Sequence, residues 1–140
     1  MLAGGEGSAM SREVLNPDGL IDSTSIGYSQ AIIQNGTLYT SGQVGWNEEF
    51  ELAGDDIQSQ TRKAFENVET LLAEAGKPLA DVAKVTAHIV NPHDNLDGFF
   101  EVWNEVYSEQ PYPCLTILGP QQLAQEGFLV ELEVEVPMSE

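Results

Sequence analysis

The chain has 140 residues, of which 41% are hydrophobic and 20% charged. This length fits one globular domain, and this composition excludes an intrinsically disordered chain. No run approaches the roughly 20 apolar residues that cross a bilayer. The single cysteine, Cys114, excludes an intrachain disulfide and a cysteine-cluster metal site. We therefore expect a cytoplasmic protein with no membrane association.

Acidic residues dominate the charge of the chain. There are 23 Asp and Glu against 5 Lys and Arg, giving a formal net charge of −18. Such a chain lacks the basic stripe that neutralises phosphates, so we expect no nucleic-acid partner. The same field lowers the local concentration of anionic small molecules near an open cleft and raises that of cations.

Acid excess with scarce lysine is typical of a surface adapted to a high-salt cytoplasm, where screening weakens self-repulsion. We therefore expect the midpoint of thermal unfolding to rise when molar KCl is added. Calorimetry over a KCl series checks this. A midpoint that stays flat or falls counts against adaptation to salt.

The N-terminal half contains two signals for β-structure. Residues 1–10 hold three glycines and no apolar period, which predicts a flexible tail before a single domain at residues 11–140. The run Arg12–Leu20 reads as a strand closed by an Asn-Pro-Asp-Gly turn. Two β-rich runs, Tyr28–Ile33 and Thr37–Ser41, flank Asn-Gly, the preferred pair for a hairpin turn.

The remaining chain alternates helical and strand patterns. Apolar residues at helical spacing predict one helix from Asp55 to Gly76 and a second from Asp94 to Glu109. Between them, Asp81–Val90 alternates as a strand. Two further strands are predicted within residues 111–120 and, by strict alternation, within residues 128–136.

The order β-β-β-α-β-α-β-β predicts an α+β domain in which two helices cover one face of a mainly antiparallel sheet. The other face would carry Tyr39, Thr86, His88 and a row of glutamates. This face is too mixed for a core and too rich in β-branched and aromatic residues for open water, which indicates a subunit interface.

Most candidate chemical groups favour a structural role. His88 and His93 lack a third ligand at diagnostic spacing, so we predict no metal site. Cys114 has no electropositive setting, and no nucleophile-elbow motif surrounds Ser29 or Ser41. No phosphate-binding loop or dinucleotide fingerprint is present.

The sequence pattern permits two interpretations of Glu131. As a carboxylate that leaves an alternating strand toward an interface, it could be partly desolvated and act as a general base. As one of a repeating row with Glu133 and Glu135, it could equally be a solvated edge residue. The pattern alone leaves both open.

Four motifs in chain order resemble the Rid family, also called YjgF, of reactive-intermediate deaminases. They are Gly27-Tyr28-Ser29-Gln30-Ala31-Ile32, Thr40-Ser41-Gly42-Gln43-Val44, Gln60-Thr61-Arg62-Lys63-Ala64-Phe65-Glu66-Asn67-Val68 and Leu129-Val130-Glu131-Leu132-Glu133. The resemblance runs from about Arg12 to Pro137. It implies a chorismate-mutase-like α+β fold and a homotrimer with three small-molecule clefts at subunit boundaries.

The resemblance also implies roles for particular residues. The deaminases of this family hydrolyse an enamine or imine, typically 2-aminoacrylate, to a keto acid and ammonia without a cofactor. By motif position, Tyr28 resembles the cleft tyrosine, Ser41 and Gly42 the turn against the ligand, and Asn104 the helix asparagine. Glu131 resembles the glutamate that handles the water or proton.

The chain departs from the family at the strand motif Pro-Ala-Arg-Ser/Thr, whose arginine binds the substrate carboxylate. Here the motif reads Pro113-Cys114-Leu115-Thr116, so Leu115 replaces the arginine, and Ile117 stands where many members carry a cysteine. An unpaired carboxylate in such a cleft costs on the order of 3 kcal/mol, roughly a hundredfold in affinity. A neutral or cationic imine is therefore the better candidate substrate.

Three functions remain open from the sequence. The first is a Rid-type hydrolase of an imine or enamine without a free carboxylate. The second is a trimeric small-ligand-binding or chaperone-like protein that has lost turnover. The third is an endoribonuclease, an activity described for some family members, which the acidic surface disfavours.

Overall fold

A computed structural model describes residues 11–138 of the chain. The predicted flexible tail at residues 1–10 lies outside the described residues. Two α-helices and seven strands follow one another in this part of the chain. They are β1 Glu13–Leu15, β2 Ala31–Gln34, β3 Thr37–Thr40, β4 Gln43–Val44, α1 Ile57–Glu74, β5 Lys84–Ile89, α2 Pro92–Val106, β6 Cys114–Leu118 and β7 Val130–Pro137.

The strands form one sheet in the order β1-β2-β3-β7-β5-β6, with β4 pairing separately with β7. All pairs are antiparallel except β5 with β6, which run parallel because α2 connects them. The predicted α+β architecture is therefore confirmed. The structure differs from the predicted element order by one additional strand, β4. It has two residues and is too short to show an alternating pattern of its own.

The Asn-Gly hairpin is confirmed between β2 and β3. Asn35 and Gly36 have φ angles of 54° and 77°. These left-handed conformations match the two central positions of a type I′ turn, which suits the twist of paired strands. Gln34 and Thr37 are consequently the last paired residues of the hairpin.

Both helices begin at recognisable signals. The side chain of Asp56 accepts a hydrogen bond from the backbone N–H of Ser59 at 2.9 Å, which caps α1. Helix α2 begins at Pro92 rather than at the predicted Asp94, because proline fits the first helical position, where no N–H bond is needed. It ends at Val106 rather than at Glu109.

The core lies between the helices and one face of the sheet. Along β7 the alternation is as predicted: four residues are buried and the intervening glutamates face away from the helices. The buried four are Val130, Leu132, Val134 and Val136. The opposite side, here called the open face, carries Tyr39, Thr86 and His88, and His88 Nε2 lies 3.0 Å from Glu133 Oε1.

The buried Gln60 of α1 connects the helix to two loops. Its Nε2 donates to the carbonyls of Gly54 and Gly127, and its Oε1 accepts from the N–H of Leu129. The side chain is 0% exposed, so water cannot replace these bonds. Gln60 thereby fixes the strand β7 next to the start of α1.

Gln60→Leu is expected to lower the free energy of unfolding by roughly 3 kcal/mol, since each buried polar group left unpaired costs about 1–3 kcal/mol. Urea unfolding measures the change. The control is Gln58→Leu on the same helix, since the Gln58 side chain donates an exposed hydrogen bond to Glu101. An equal, small effect of both changes would contradict the role given to Gln60.

Within residues 11–138, neither helix is long and apolar enough to cross a membrane.

Candidate active site

A cleft of about 270 Å³ opens beside β4 and the start of β7. Its walls come from residues 20–28, from the β4 region and from the loop that precedes β7. The lining residues are Leu20, Ile21, Ile26, Tyr28, Gln30, Gly42, Gln43, Val44, Trp46, Phe50, Asn67, Ala124, Gln125, Phe128 and Glu131. Three of the predicted site residues, Tyr28, Gly42 and Glu131, are thus brought together in one chain.

Glu131 occupies the second position of β7, paired with Val44 on one side and His88 on the other. Its side chain is half-buried, and burial raises the pKa of the carboxyl above its ordinary value. His88 opposes this shift, and Glu133 adds to it. A carboxylate with a raised pKa in a cleft can accept a proton from water, as the general-base reading requires.

Gly42 leaves the space that Glu131 uses. A Cβ atom at position 42 would lie 2.5 Å from Cδ of Glu131 and would overlap the carboxylate itself. Any side chain at this position therefore pushes the carboxylate out of its place. The Gly of the Thr-Ser-Gly-Gln motif is explained by this close approach.

Gly42→Ala is expected to slow any reaction that uses the Glu131 carboxylate about a hundredfold, because displacing a reacting group by about 1 Å has an effect of this size. The nearest atoms all belong to the Glu131 side chain, which can rotate away, so the fold should survive. Initial rates and the unfolding midpoint measured on the same sample separate the two effects. Full activity in the variant would contradict the assigned position of the carboxylate.

Tyr28 faces the same cleft from the segment that follows a short 3₁₀ turn. Gly27, with a φ of 99°, ends that turn, and Ser23 Oγ donates to the carbonyl of Tyr28 at 2.8 Å. Burial raises the pKa of the Tyr28 hydroxyl, and the charge of Glu131 raises it further. Tyr28 therefore remains protonated at neutral pH and can donate a hydrogen bond to a ligand.

Three carboxamide side chains, not singled out from the sequence, form the polar floor of the cleft. Gln43 Nε2 donates to Gln30 Oε1 at 2.8 Å, and Gln30 Nε2 donates to the carbonyl of Ile21. Asn67 Nδ2 donates to the carbonyls of Val44 and Trp46. Each of the three lies within one of the four motifs, so the resemblance could have pointed to them. The sequence alone does not show which groups an amide side chain will bind.

Ser41 borders the cleft without lining it. Its Oγ donates to the carbonyl of Ser29 at 2.6 Å, and its N–H donates to the carbonyl of Gln30 at 2.8 Å. Both bonds extend the pairing of the hairpin beyond β2 and β3. Ser41 thus holds the backbone that leads to Gly42, and its hydroxyl is already engaged.

The other predicted site residues lie elsewhere in the chain. Leu115 and Ile117 are on β6, separated from β7 by β5, and pack partly against the core. Asn104 is exposed on α2, and it does not line the cleft. One chain alone therefore does not bring these three residues to Glu131.

None of the five basic residues lines the cleft within residues 11–138. Arg12 Nε donates to Gln34 Oε1, and Arg62 pairs with Glu105 at 2.9 Å. The lysines lie beside other partners, which are Glu66 for Lys63, Asp81 for Lys77 and Thr116 for Lys84. The cleft of one chain consequently offers no cation to a carboxylate ligand.

Comparisons with known proteins show which family the chain resembles. The family model described as "Endoribonuclease L-PSP" matches residues 22–137. The RutC family protein YjgH of Escherichia coli is 36% identical over 110 residues, covering 79% of this chain and 83% of that protein. The crystal structure of the Rid protein YyfA from Yersinia pestis superimposes with a TM-score of 0.83 at 29% identity, covering 91% of this chain and 99% of that one.

The family model covers most of the chain, and the α+β fold is that of the solved structures it resembles. This chain belongs to the Rid family, also called YjgF. A further relative, from Dermatophagoides farinae, is named 2-iminobutanoate/2-iminopropanoate deaminase and is 32% identical over 110 residues, covering 76% of this chain and 81% of that protein.

Proposed function

We propose that this protein is a Rid-type hydrolase of an imine or enamine that carries no free carboxylate. The observation that carries the proposal is the half-buried Glu131 beside Tyr28 in a mostly apolar cleft, which no basic residue among residues 11–138 of the same chain lines. A carboxylate ligand would meet a like charge there and no partner. A neutral imine or an iminium cation meets no such penalty.

The chemistry needs only water and the side chains of the cleft. Water adds to the imine carbon while the Glu131 carboxylate takes its proton, so that a C–O bond forms. Glu131 passes this proton to the nitrogen, which gives a carbinolamine. The proton of the added hydroxyl then moves to the same nitrogen as the C=O bond forms and the C–N bond breaks, so that a carbonyl compound and ammonia leave. The Tyr28 hydroxyl donates a hydrogen bond that orients the reacting group.

The active assembly under this proposal is a homotrimer. The open face carries the half-buried His88 and Thr86 and the exposed Tyr39, a mixture suited to a partner chain. Strand β6 is an edge strand, so Leu115 and Ile117 would complete the cleft of a neighbouring copy. Light scattering should give three times the 15.2 kDa of one chain, and the mass of a single chain would contradict the assembly.

The experiment is the release of ammonia from freshly generated imines. An amine oxidase produces the imines in place from neutral and acidic amines, and the rate is compared with that in buffer. The proposal predicts acceleration for imines without a carboxylate. No acceleration for any imine would remove it.

Two further measurements separate the other two functions. Ligand affinity without turnover would favour a trimeric binding or chaperone-like protein. A single-stranded RNA incubated with the protein tests the activity in the name of the family model. The net charge of −18 leads us to expect no cleavage.

A further inference from the structure

Three aromatic side chains line the cleft beside the reactive groups. The ring of Trp46 contacts Phe50 on one side and Phe128 on the other, with centroids 5.0 Å apart in both pairs. The interplanar angles of 88° and 90° are edge-to-face arrangements, which fix the rings relative to one another. We call these three residues the aromatic clamp.

Phe50 is held in the clamp by the loop that carries it. The loop is closed by a bridge between Trp46 and Leu52, and Asn47 Oδ1 accepts the N–H groups of Glu49 and Glu51. Phe50 itself has a φ of 66° and is 58% exposed. A left-handed conformation is unusual for an aromatic residue, and such strain concentrates where a site requires it.

The rest of the lining matches a ligand with two different ends. Leu20, Ile21 and Ile26 add further apolar surface, and Ile26 is 68% exposed. The ionisable groups of the lining are Glu131 and Tyr28. An apolar group of a ligand can therefore pack against the aromatic clamp, and an N–H group of the same ligand can donate a hydrogen bond to Glu131.

We propose that the ligand of this cleft carries a ring-sized apolar substituent held by Trp46, Phe50 and Phe128, with its nitrogen toward Glu131. The chemical class is an arylalkyl amine or, resting on the proposed function, the imine made from one. The volume of about 270 Å³ is near the lower end of small-molecule pockets, roughly 300–1,000 Å³. A two-carbon imine would leave the rings uncovered.

Burial of a ring against the clamp removes apolar surface from water and should raise affinity about 10- to 100-fold. Titration calorimetry on the full chain compares benzylammonium with ethylammonium, and benzoate tests the charge. We expect benzylammonium to bind at least about tenfold more tightly than ethylammonium, and benzoate not to bind. Equal binding of the two ammonium ions, or preferential binding of benzoate, would overturn the inference.

Phe50→Gly removes the ring and suits the positive φ of the loop, so the variant should fold. It should lower the ratio of the benzylammonium to the ethylammonium association constant about tenfold. The control is Phe100→Ala, an exposed aromatic of α2 that lies outside the lining and should leave the ratio unchanged. An unchanged ratio in Phe50→Gly would overturn the clamp.

Hydrolysis rates separate this inference from the proposed function. If benzylammonium binds through the clamp but the imine of benzylamine is hydrolysed no faster than in buffer, the hydrolase fails and the ligand class stands. If imines are hydrolysed but benzylammonium shows no preference over ethylammonium, the hydrolase stands and the clamp fails.

Discussion

Glu131→Gln should lower kcat/KM for imine hydrolysis by about 10²- to 10⁴-fold, the usual contribution of a positioned general base. The amide keeps the size of the side chain and its place beside Gly42, but it cannot take a proton from water. In the unsubstituted protein, kcat/KM should fall as the pH drops through the raised pKa of Glu131, because only the ionised form acts as base. Initial rates over a pH series measure both effects.

Stability gives an independent check on the same residue. The pKa of Glu131 in the folded chain is raised above its ordinary value of 4.5, so the folded state favours the protonated form. The stability this provides is present below the unfolded pKa and is lost as the pH rises through the folded pKa. Glu131→Gln should therefore unfold at a higher urea concentration than the unsubstituted protein at neutral pH, and this difference should vanish in acid.

The matched control for this change is Glu135→Gln. Glu135 lies on the same strand and the same face but is exposed and outside the lining of the cleft. The Glu135→Gln variant should have a kcat/KM within about twofold of the unsubstituted protein, as expected for a surface group without a role in the reaction. Equal losses in the two variants, or full activity in Glu131→Gln, would remove Glu131 as the base.

Leu115→Arg should raise kcat/KM for 2-iminopropanoate about a hundredfold, because a guanidinium pairs with the substrate carboxylate that the present cleft leaves unpaired. The change also introduces a charge at a half-buried position that packs against the core. Its unfolding midpoint must therefore be recorded with its rate. Hydrolysis of imines without a carboxylate should not gain in the same way.

Leu115→Gln is the control for this second change, since it adds polarity and length without charge. It should show no gain on 2-iminopropanoate. If a folded Leu115→Arg trimer gains nothing either, Leu115 does not reach the cleft. The position of the missing family arginine would then not explain substrate choice.

The fold was largely predictable because its signals are local. The Asn35-Gly36 turn dictates a hairpin, and the alternation along β7 dictates which residues are buried. The strand β4 is not predicted, because two residues show no alternating pattern. It forms only through its pairing with β7, which is distant in the sequence. The sequence predicts a start of α2 at Asp94, two residues too late, because the apolar period begins only after Pro92, whereas proline itself fits the first helical position.

The sequence predicts candidate site residues mainly through the family resemblance. Tyr28, Gly42 and Glu131 meet in one cleft, whereas Asn104 faces outward because the helical period places its neighbours Val102 and Trp103 in the core. The clamp was not predicted. It forms from separate loops that meet only in the folded chain, and Phe50 stands in a polar segment with no apolar period.

The most direct measurement compares 2-iminopropanamide with 2-iminopropanoate, which differ in charge and hardly in size. For each, kcat/KM is divided by the rate constant for hydrolysis in buffer. Because no basic residue in the described part of one chain lines the cleft, we predict that the amide is preferred at least about tenfold. A preference for the carboxylate would mean that a cation from another copy enters the cleft, and the assignment of substrates without a carboxylate would be wrong.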